Sequence, residues 1–565
     1  MFQEQNHISL RQVISVVLGL YIILTALTVP NAVQSATYYV STTGNNSNQG
    51  TEAQPWRTIQ QAASRAVAGD IVYVKAGTYN ERVVVANSGT AGNDITFSVY
   101  PNDVVTIDGS GITLPAWPSG LFDLEGRNYI KVSGFRVINA GPNSNNCGIY
   151  VDTCHDIIIE NNYTYNTVSS GIGVWDSENI ILDGNEVELA CNDGEQECIS
   201  VASTTNFDIR NNHVHHGGPG TNGGEGICPK DGSFNGRVYN NHVHDLPIKL
   251  GIYVDAWDKH TYNIEVFNNI VHDCGNDGFT LASEQGGLLE NISVYNNIAY
   301  HNRNIGISVT PNGDVPNSPM KTLKIVNNTL FNNGWNTVAD PWGGGIGVDS
   351  PNLTDLTIRN NIVSQNLLYE IAIESSGQNV ATDHNLIDGF RGELTEETRG
   401  SSFVEGAPGV VDASGADFHL IEGALAIDKG VSTDAPAADY DGNPRPQGVG
   451  YDIGAFEYSA NPVAVDERAS PIPEKFELRQ NYPNPFNAGT DISYQLTESG
   501  KVMVTVYNLL GEPVRVLVNE EQAPGDHFIH WDAKDDLGRF VSSGVYLYQI
   551  HAGSFSDVRK AVFVK

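Results

Sequence analysis

The sequence predicts an all-β fold in which a long solenoid of stacked β coils is followed by a small β-sandwich. The first observation is a repeat, because an Asn recurs every 23 to 33 residues through the middle of the chain, and a sustained period of this length is typical of solenoids. The repeated residues are Asn162, Asn185, Asn212, Asn241, Asn269, Asn297, Asn328, Asn361 and Asn385. Since Asn tolerates tight corners and stacked Asn side chains can bond from coil to coil, we expect a structural ladder.

The second observation is that each repeat contains two short runs with strand periodicity. One run comes just before the Asn, as in 264–267 (IEVF). The other has the form Gly-Ile-x-Val, and its apolar second and fourth positions predict a strand with those positions inward and the third outward. Its copies stand at 148–151, 171–174, 198–201, 226–229, 251–254, 278–281 and 306–309. Stacked side by side, they predict one parallel sheet with a continuous outer face.

The N-terminus has the pattern of a secretory signal. Arg11 precedes an apolar stretch at 13–29, and a small-residue run ends at Ser35 and Ala36, so 1–35 is predicted to be a cleaved signal peptide. The apolar stretch is close to bilayer-spanning length, which leaves an uncleaved anchor as the alternative. No later segment of the sequence is apolar enough to cross a membrane, so we expect no span in the mature chain.

The charge balance and the cysteines narrow the class of protein. With 31 Lys and Arg against 66 Asp and Glu, the formal net charge is −35, which disfavours a nucleic-acid partner and favours a soluble chain, expected to be monomeric. All six cysteines fall between positions 147 and 274. Cys191 and Cys198 could close the loop between them, and the lack of a Cys-x-x-Cys pair argues against a zinc site.

The start of the body carries a family resemblance. The segment 37–109, with 56–60 (WRTIQ) and 76–79 (AGTY), resembles the beginning of right-handed parallel β-helix proteins of the pectate lyase-like superfamily. The resemblance implies a right-handed parallel β-helix over 36–402. Because open solenoids need caps, the amphipathic stretch 58–67 is interpreted as a helix that plugs the first coil.

The end of the β-helix and the tail carry two further resemblances. The segments 426–430, 441–446 and 452–457 resemble the closing segment behind bacterial surface β-helices, which implies that 403–459 seals the last coil. A Pro-rich and charged linker follows at 460–474.

The last region, 475–565, alternates strands with turns and is predicted to be a β-sandwich. Its segments 476–487 (FELRQNYPNPFN) and 507–511 (YNLLG), together with Trp531 and the terminal Lys565, resemble type IX secretion sorting domains. The resemblance implies the type IX secretion machinery as a partner and a secreted or cell-surface location.

Candidate chemistry lies on the outer face of the Gly-Ile-x-Val sheet. The residues just before successive rows are Glu197, Glu225, Leu250, Asp277 and Ile305. Stacked carboxylates repel one another unless a cation intervenes. Calcium suits such oxygen ligands in an exported protein, so Glu197, Glu225 and Asp277 are predicted Ca²⁺ ligands.

Lys230 is the predicted base for this chemistry, with Tyr253 and Asp255 on the next coil as acid candidates. A lysine beside a calcium-bound uronate can take the C5 proton once the metal neutralises the carboxylate, and a tyrosine or water can protonate the leaving oxygen. The run 225–230 (EGICPK) is similar to a Glu-then-Lys pattern in β-helical lyases of alginate and dermatan, which implies that Glu225 binds calcium and Lys230 is the base. Those enzymes have an acid where this chain has Gly223, and an Arg where it has Asp255.

The stretches 277–279 and 300–303 look like a region of secreted mannuronan C5-epimerases, whose catalytic Tyr, Asp and His signature corresponds loosely to 253–260. Arg303 is also a catalytic candidate. Trp257, His260 and Glu284 are predicted to bind substrate, with Trp257 as a platform for a sugar ring.

The residues lead to one expectation and two alternatives. We expect a secreted enzyme that cleaves a uronate-containing polysaccharide by calcium-assisted β-elimination. The first alternative is a β-helical glycoside hydrolase that uses Asp255 with Asp277 or Glu284. The second is a glycan-binding or surface solenoid without catalysis.

A separate row of rings follows the Asn repeat. His215, His244, His272 and Tyr300 stand at equivalent positions of successive repeats. We expect these rings to stack rather than to bind a metal.

Overall fold

The computed structural model describes residues 35–219, 223–311, 318–334, 343–374, 377–459, 476–478, 481, 486, 490–497, 500–508, 511–522, 525–531, 533–535, 539–553 and 555–564. The predicted signal peptide and linker lie almost entirely outside these ranges, and the predicted domain boundaries stay predictions. The body is a parallel β-solenoid, as the sequence predicts. Three long sheets, named here sheets I, II and III, run along it with 13, 13 and 11 strands.

A complete coil contributes one strand to sheet I, then one to sheet II, then one to sheet III. The strands of sheet I are Thr37–Val40, Ile71–Val74, Ile95–Val99, Ile130–Ser133, His155–Glu160, Glu178–Asp183, Thr205–Arg210, Phe234–Tyr239, Thr261–Phe267, Leu289–Tyr295, Met320–Val326, Leu353–Arg359 and Gln378–Asp383. Those of sheet II are Gly77–Tyr79, Val105–Asp108, Arg136–Ile138, Tyr163–Tyr165, Glu186–Glu188, His213–His215, His242–His244, Ile270–His272, Ile298–Tyr300, Thr329–Phe331, Ile362–Ser364, Leu386–Asp388 and Val404–Glu405. Those of sheet III are Val83–Val84, Ser119–Asp123, Asn146–Asp152, Ile172–Trp175, Ile199–Ala202, Ile227–Lys230, Ile252–Asp255, Phe279–Ala282, Ile307–Thr310, Ile346–Val348 and Ile371–Ile373.

The Asn repeat forms the predicted ladder inside the coils. The side-chain nitrogen of Asn212 donates to Oδ1 of Asn241 at 3.0 Å, and Nδ2 of Asn241 donates to Oδ1 of Asn269 at 2.9 Å. All nine ladder residues are buried. The residue before each ladder Asn takes the left-handed backbone conformation, as Asn211 and Asn240 do with φ of 54°. A corner therefore needs both residues, which explains the frequent Asn-Asn pairs.

The first coil is capped by a short helix, Ile59–Ala63, which begins after the capping residue Thr58 and ends at Ser64. It is shorter than the predicted stretch 58–67. Ile59, Ala62 and Ala63 are buried in the same core as the first coils. The helix thus covers apolar surface that the open end of the solenoid would expose.

The segment after the last coil is laid along the solenoid. Its hairpin pairs Val410–Asp412 with Asp417–Leu420 around the short 3₁₀ turn Ala413–Gly415. Further on, the carbonyls of Tyr440, Ala438 and Asp452 accept hydrogen bonds from corner asparagines of three coils, Asn268, Asn296 and Asn327. The segment therefore runs back over several coils, whereas the sequence led us to expect a seal on the last one.

The described part of the tail is antiparallel. One sheet contains Glu477–Leu478, Thr490–Leu496 and Gly525–Trp531, and the other contains Pro513–Gln522, Gly500–Tyr507, Gly544–Ala552 and Phe555–Phe563. No helix in the described ranges is long and apolar enough to cross a bilayer. All six cysteines are buried and unpaired, so the possible bridge between Cys191 and Cys198 is not formed.

Candidate active site

The candidate site lies on the outer face of sheet III in its middle coils. Alternation predicts that the third residue of each row points outward to solvent, yet Ser200, Cys228, Tyr253 and Thr280 are all buried. Longer side chains pair on the same face, such as Lys230 with Glu197, and Glu197 also accepts from Ser200. This face is therefore a largely buried polar surface rather than an open one, and it is called the groove below.

Lys230 ends the strand Ile227–Lys230 and is held by the preceding coil. Its Nζ donates to Oε1 of Glu197 at 2.7 Å and to Oε1 of Gln196 at 3.1 Å. The other oxygen of Glu197 accepts from the hydroxyl of Ser200 at 2.6 Å. Burial lowers the pKa of Lys230, but the Glu197 carboxylate opposes this and the pKa is raised overall. Lys230 is therefore charged in this structure.

Asp255 lies on the next strand, where its Cα pairs in register with that of Lys230. The residue is 2% exposed, and its Oδ1 has no hydrogen-bond partner within the described residues. Burial, assisted by the negative charge of Glu284, raises the pKa of Asp255 to about 9. The carboxyl group is thus protonated at neutral pH and can act as an acid.

Tyr253 and Glu284 complete this end of the groove. The Tyr253 hydroxyl donates to Oε1 of Glu284, and the Tyr253 ring packs with Cys228, Leu250 and Ala282. Tyr253 is 5% exposed. Its hydroxyl therefore positions Glu284, whose charge acts on Asp255.

The predicted calcium ligands Glu225 and Asp277 have different partners. Glu225 lies 3.4 Å from Nζ of Lys249, and burial, followed by the charge of Glu197, raises the pKa of Glu225. Asp277 accepts from the Thr280 hydroxyl and from the backbone N–H of Ile305, both at 3.1 Å.

Glu197, Glu225 and Asp277 do not form a set with ligand atoms within 4.8 Å of one another, among the residues that the structure describes. Their carboxylates suit calcium chemically. The charge of Glu197 contributes to the raised pKa of Glu225, so these two carboxylates lie near each other.

The other predicted residues lie at the margin or outside the groove. Trp257 is 45% exposed in the loop after strand Ile252–Asp255. His260 turns toward sheet I, where its Nε2 lies 3.0 Å from Glu290 and its ring stacks on Tyr262.

Arg303 precedes strand Ile307–Thr310, three coils beyond Lys230. At about 4.8 Å per strand this is about 14 Å along the solenoid, so the structure does not bring Arg303 to Lys230.

Three residues of the groove were missed from the sequence: Gln196, Ser200 and Lys249. Ser200 could have been predicted, since the Gly-Ile-x-Val alternation already placed it on this face. Lys249 could have been found as a basic residue on the coil next to Glu225. Gln196 lies in a loop with no periodic pattern, so nothing in the sequence indicated its contact with Lys230.

Comparison with known proteins supports the fold. The family described as "Pel9A-like, right handed beta helix region" matches residues 38–340, and the family described as "Disaggregatase related" matches residues 289–424. The solved structure of pectate lyase Pel9A is 16% identical with a TM-score of 0.41, covering 75% of this chain and 96% of that chain.

Two curated proteins match shorter regions. "Uncharacterized protein YwoF" of Bacillus subtilis is 34% identical over 129 residues, which are 22% of this chain and 28% of that protein. "Pectate lyase PEL9" of Emericella nidulans is 28% identical over 166 residues, which are 27% of this chain and 39% of that protein. The chain thus spans less than half the length of either relative. Because the first family match covers more than half of the sequence, the chain belongs to the Pel9A-like right-handed β-helix family.

Proposed function

We propose that the protein is a polysaccharide lyase that cleaves uronate-containing chains by β-elimination, with Lys230 as the base. The observation that carries the proposal is the buried, in-register pair of Lys230 and Asp255 on the outer face of sheet III. The pair offers an amine and a protonated carboxyl group side by side. The family and the pectate lyase relative support a reaction of this class.

In this reaction the neutral amine of Lys230 takes the C5 proton of a uronate residue. The electron pair of the C5–H bond forms a double bond between C4 and C5, and the bond from C4 to the glycosidic oxygen breaks. Asp255 gives its proton to that leaving oxygen, because its raised pKa keeps the carboxyl group protonated. The products are an unsaturated uronate end and a new reducing end.

Calcium is part of the proposal as a cofactor. Glu197 and Glu225 would hold it, and the ion would neutralise the substrate carboxylate and make the C5 proton more acidic. The residues themselves bind and orient the sugar, with the exposed ring of Trp257 at the margin of the groove as a stacking surface.

The test is the ultraviolet absorbance of the unsaturated uronate, followed while the full chain acts on pectate, alginate and glycosaminoglycans, with calcium and then with EDTA. The proposal predicts a calcium-dependent rise on at least one of these substrates. Lys230→Ala should lose at least about 100-fold in rate, the usual contribution of a general base. Lys259→Ala is the matched control, since Lys259 pairs with Asp231 and is 55% exposed. An active Lys230→Ala variant would contradict the assignment.

A second candidate function is glycoside hydrolysis by Asp255 and Glu284. It is favoured by one observation: the charge of Glu284 helps to raise the pKa of Asp255 to about 9, and a carboxyl group kept protonated near a second carboxyl group is a pattern of glycosidases. This candidate predicts new reducing ends without ultraviolet absorbance, in the presence of EDTA. It also predicts that Asp255→Asn is inactive while Lys230→Ala is active.

We further propose that the chain is exported through type IX secretion and acts outside the cell. The sorting-domain resemblance of residues 476–487 supports this. The test is to express the chain with and without 475–565 in a bacterium that has this machinery. Retention of the shortened chain, and release of the full one, is the expected result.

A further inference from the structure

The outer face of sheet II carries two columns of imidazole rings that the proposed reaction does not use. Strands His213–His215 and His242–His244 are neighbours, and strand Ile270–His272 follows them. Val214 and Val243 point into the core, so both histidines of each strand share the outer face. The sequence indicated only the column of His215, His244 and His272.

The predicted stacking of that column is confirmed. The ring centroids of His215 and His244 lie 5.3 Å apart and those of His244 and His272 lie 5.0 Å apart, with nearly parallel rings. His213 and His242 form a second stacked column, with centroids 5.3 Å apart. Ring stacking alone does not determine where the ring nitrogens lie. In this structure, Nε2 atoms of one column face Nε2 atoms of the other.

Nε2 of His213 lies 2.7 Å from Nε2 of His244, and Nε2 of His242 lies 2.8 Å from Nε2 of His272. On the other side of the second column, Nδ1 of His244 bonds to Asp245 at 2.8 Å. Nδ1 of His272 bonds to Asp273 at 2.6 Å in the same way. A histidine that donates one ring N–H to a carboxylate and presents the other nitrogen to its neighbours has the arrangement of a metal-binding histidine.

The ligand atoms of His213, His242 and His244 all lie within 4.8 Å of one another. A second overlapping set joins His213 and His215 to the carboxylate of Glu186. Three imidazole nitrogens suit Zn²⁺, Cu²⁺ or Ni²⁺, whereas Ca²⁺ selects oxygen ligands. The His244 side chain is 15% exposed, so the set can be reached from solvent.

We propose that His213, His242 and His244 bind one divalent transition-metal ion, with Asp245 as the residue that orients His244. Zinc sites take four ligands, and water would supply the fourth. The site lies on sheet II, whereas the candidate active site lies on sheet III, so it is distinct from the proposed calcium ligands. It does not depend on the proposed lyase activity.

The test uses the untagged full chain titrated with Co²⁺ as a spectroscopic probe, followed by displacement with Zn²⁺ and with excess Ca²⁺. We expect one equivalent of Co²⁺ with visible absorption bands, displacement by Zn²⁺, and no displacement by Ca²⁺. Binding is read without any activity assay, so its failure and the failure of the lyase proposal can be told apart.

Three variants decide whether the cluster is responsible. His213→Gln combined with His244→Gln should abolish the absorption bands, and Asp245→Asn should weaken binding by about 10 to 100-fold. His384→Gln is the matched control, because His384 also bonds through Nδ1 to a neighbouring carboxylate, Asp383, at 2.7 Å but belongs to none of the metal-ligand sets of the described residues. Circular dichroism without metal checks that each variant folds.

The proposal is overturned if the wild type binds no Co²⁺, if Asp245→Asn binds as the wild type does, or if His384→Gln weakens binding as much as the double variant. Each of these results would leave the two columns as a stacked, hydrogen-bonded ladder.

Discussion

Lys230 and Asp255 are opposite each other on neighbouring strands, and both are protonated at neutral pH. The ion pair with Glu197 raises the pKa of Lys230 and keeps its amine charged. Burial raises the pKa of Asp255 to about 9 and keeps its carboxyl group neutral. At neutral pH Asp255 can therefore donate a proton, whereas Lys230 cannot accept one until it has lost its own.

This difference predicts an alkaline reaction. The reactive state needs a neutral Lys230 and a protonated Asp255, so its population should rise about tenfold per pH unit until Asp255 ionises near pH 9. The expected profile of log kcat/KM climbs with a slope near one and then levels off. In Asp255→Asn the break should vanish, since no proton is lost there. A profile that is flat from neutral to alkaline pH would speak against Lys230 as the base.

A second buried acid, Glu370, predicts a pH effect on stability. Burial raises its pKa from 4.5 to about 8, although Asn366 donates to its carboxylate at 2.7 Å. The folded state therefore binds a proton that the unfolded state releases, and the free energy of unfolding should fall as pH rises from 4.5 to 8. Glu370→Gln removes the titrating carboxyl group, so its stability should not fall in this way. At the upper end of the pH range the variant should be more stable than the wild type by about 1 to 4 kcal/mol. Urea unfolding of both proteins at both ends of the pH range checks this. The prediction is contradicted if the variant and the wild type differ in free energy of unfolding by the same amount at both pH values.

At the scale of elements, two of the Asn ladders in the solenoid, called here the inner and the outer ladder, differ in burial. The inner ladder satisfies backbone groups: Asn241 donates to the carbonyl of Ile209 at 2.9 Å, and its Oδ1 accepts from the backbone N–H of Asn212 at 3.0 Å. The outer ladder joins exposed residues such as Asn235 and Asn263 at 3.1 Å. The chemistry is the same, but water can replace only the outer bonds.

Asn241→Ala should therefore destabilise the chain by about 2 to 4 kcal/mol, because it leaves several buried backbone groups without partners. Asn235→Gly is the control, since Asn235 has a φ of 54° that Gly adopts readily, and its cost should stay below about 1 kcal/mol. Chemical denaturation of both variants gives the comparison. Equal losses of unfolding free energy in the two variants would mean that burial does not determine how much a ladder hydrogen bond stabilises the fold.

The sequence predicted the repeating elements well and the irregular ones poorly, for a physical reason. The position of a strand or a corner Asn depends only on its own coil and the adjacent coils, so it can be predicted from the repeat. The paired rows that contain Ile227 and Ile252 are an example. The burial of outward residues such as Ser200 does not follow from the repeat pattern. Among the candidate site residues, Lys230, Asp255 and Glu197 could be proposed from the sequence because they directly flank rows, whereas Gln196 lies one residue farther into a loop.

At the scale of the whole molecule, a solenoid must protect its ends and its corners. The helix Ile59–Ala63 covers one end. The segment after the last coil instead follows the corner between sheets I and II, and it is fixed there by a buried ion pair. Arg445 and Glu457 both have fully buried side chains and meet at 2.7 Å. Arg445 also donates to Oδ1 of the corner residue Asn296 at 3.1 Å. This residue therefore joins the closing segment to the coils.

Because each coil rests mainly on its neighbours, loss of this contact should release the segment before the coils unfold. Arg445→Ala leaves the Glu457 carboxylate buried without its partner, which costs about 3 to 5 kcal/mol. Hydrogen exchange should then speed up in 426–457 while the ladder amides around Asn241 stay protected. Arg237→Ala is the control, since Arg237 pairs with Asp208 but is 51% exposed, and its effect should be below about 1 kcal/mol.

The double variant Arg445→Met with Glu457→Gln separates charge from packing. If the unpaired charge causes the loss, this variant should recover much of the stability of the segment. Faster exchange throughout the coils in Arg445→Ala would instead show that the closing segment and the solenoid unfold as one cooperative unit.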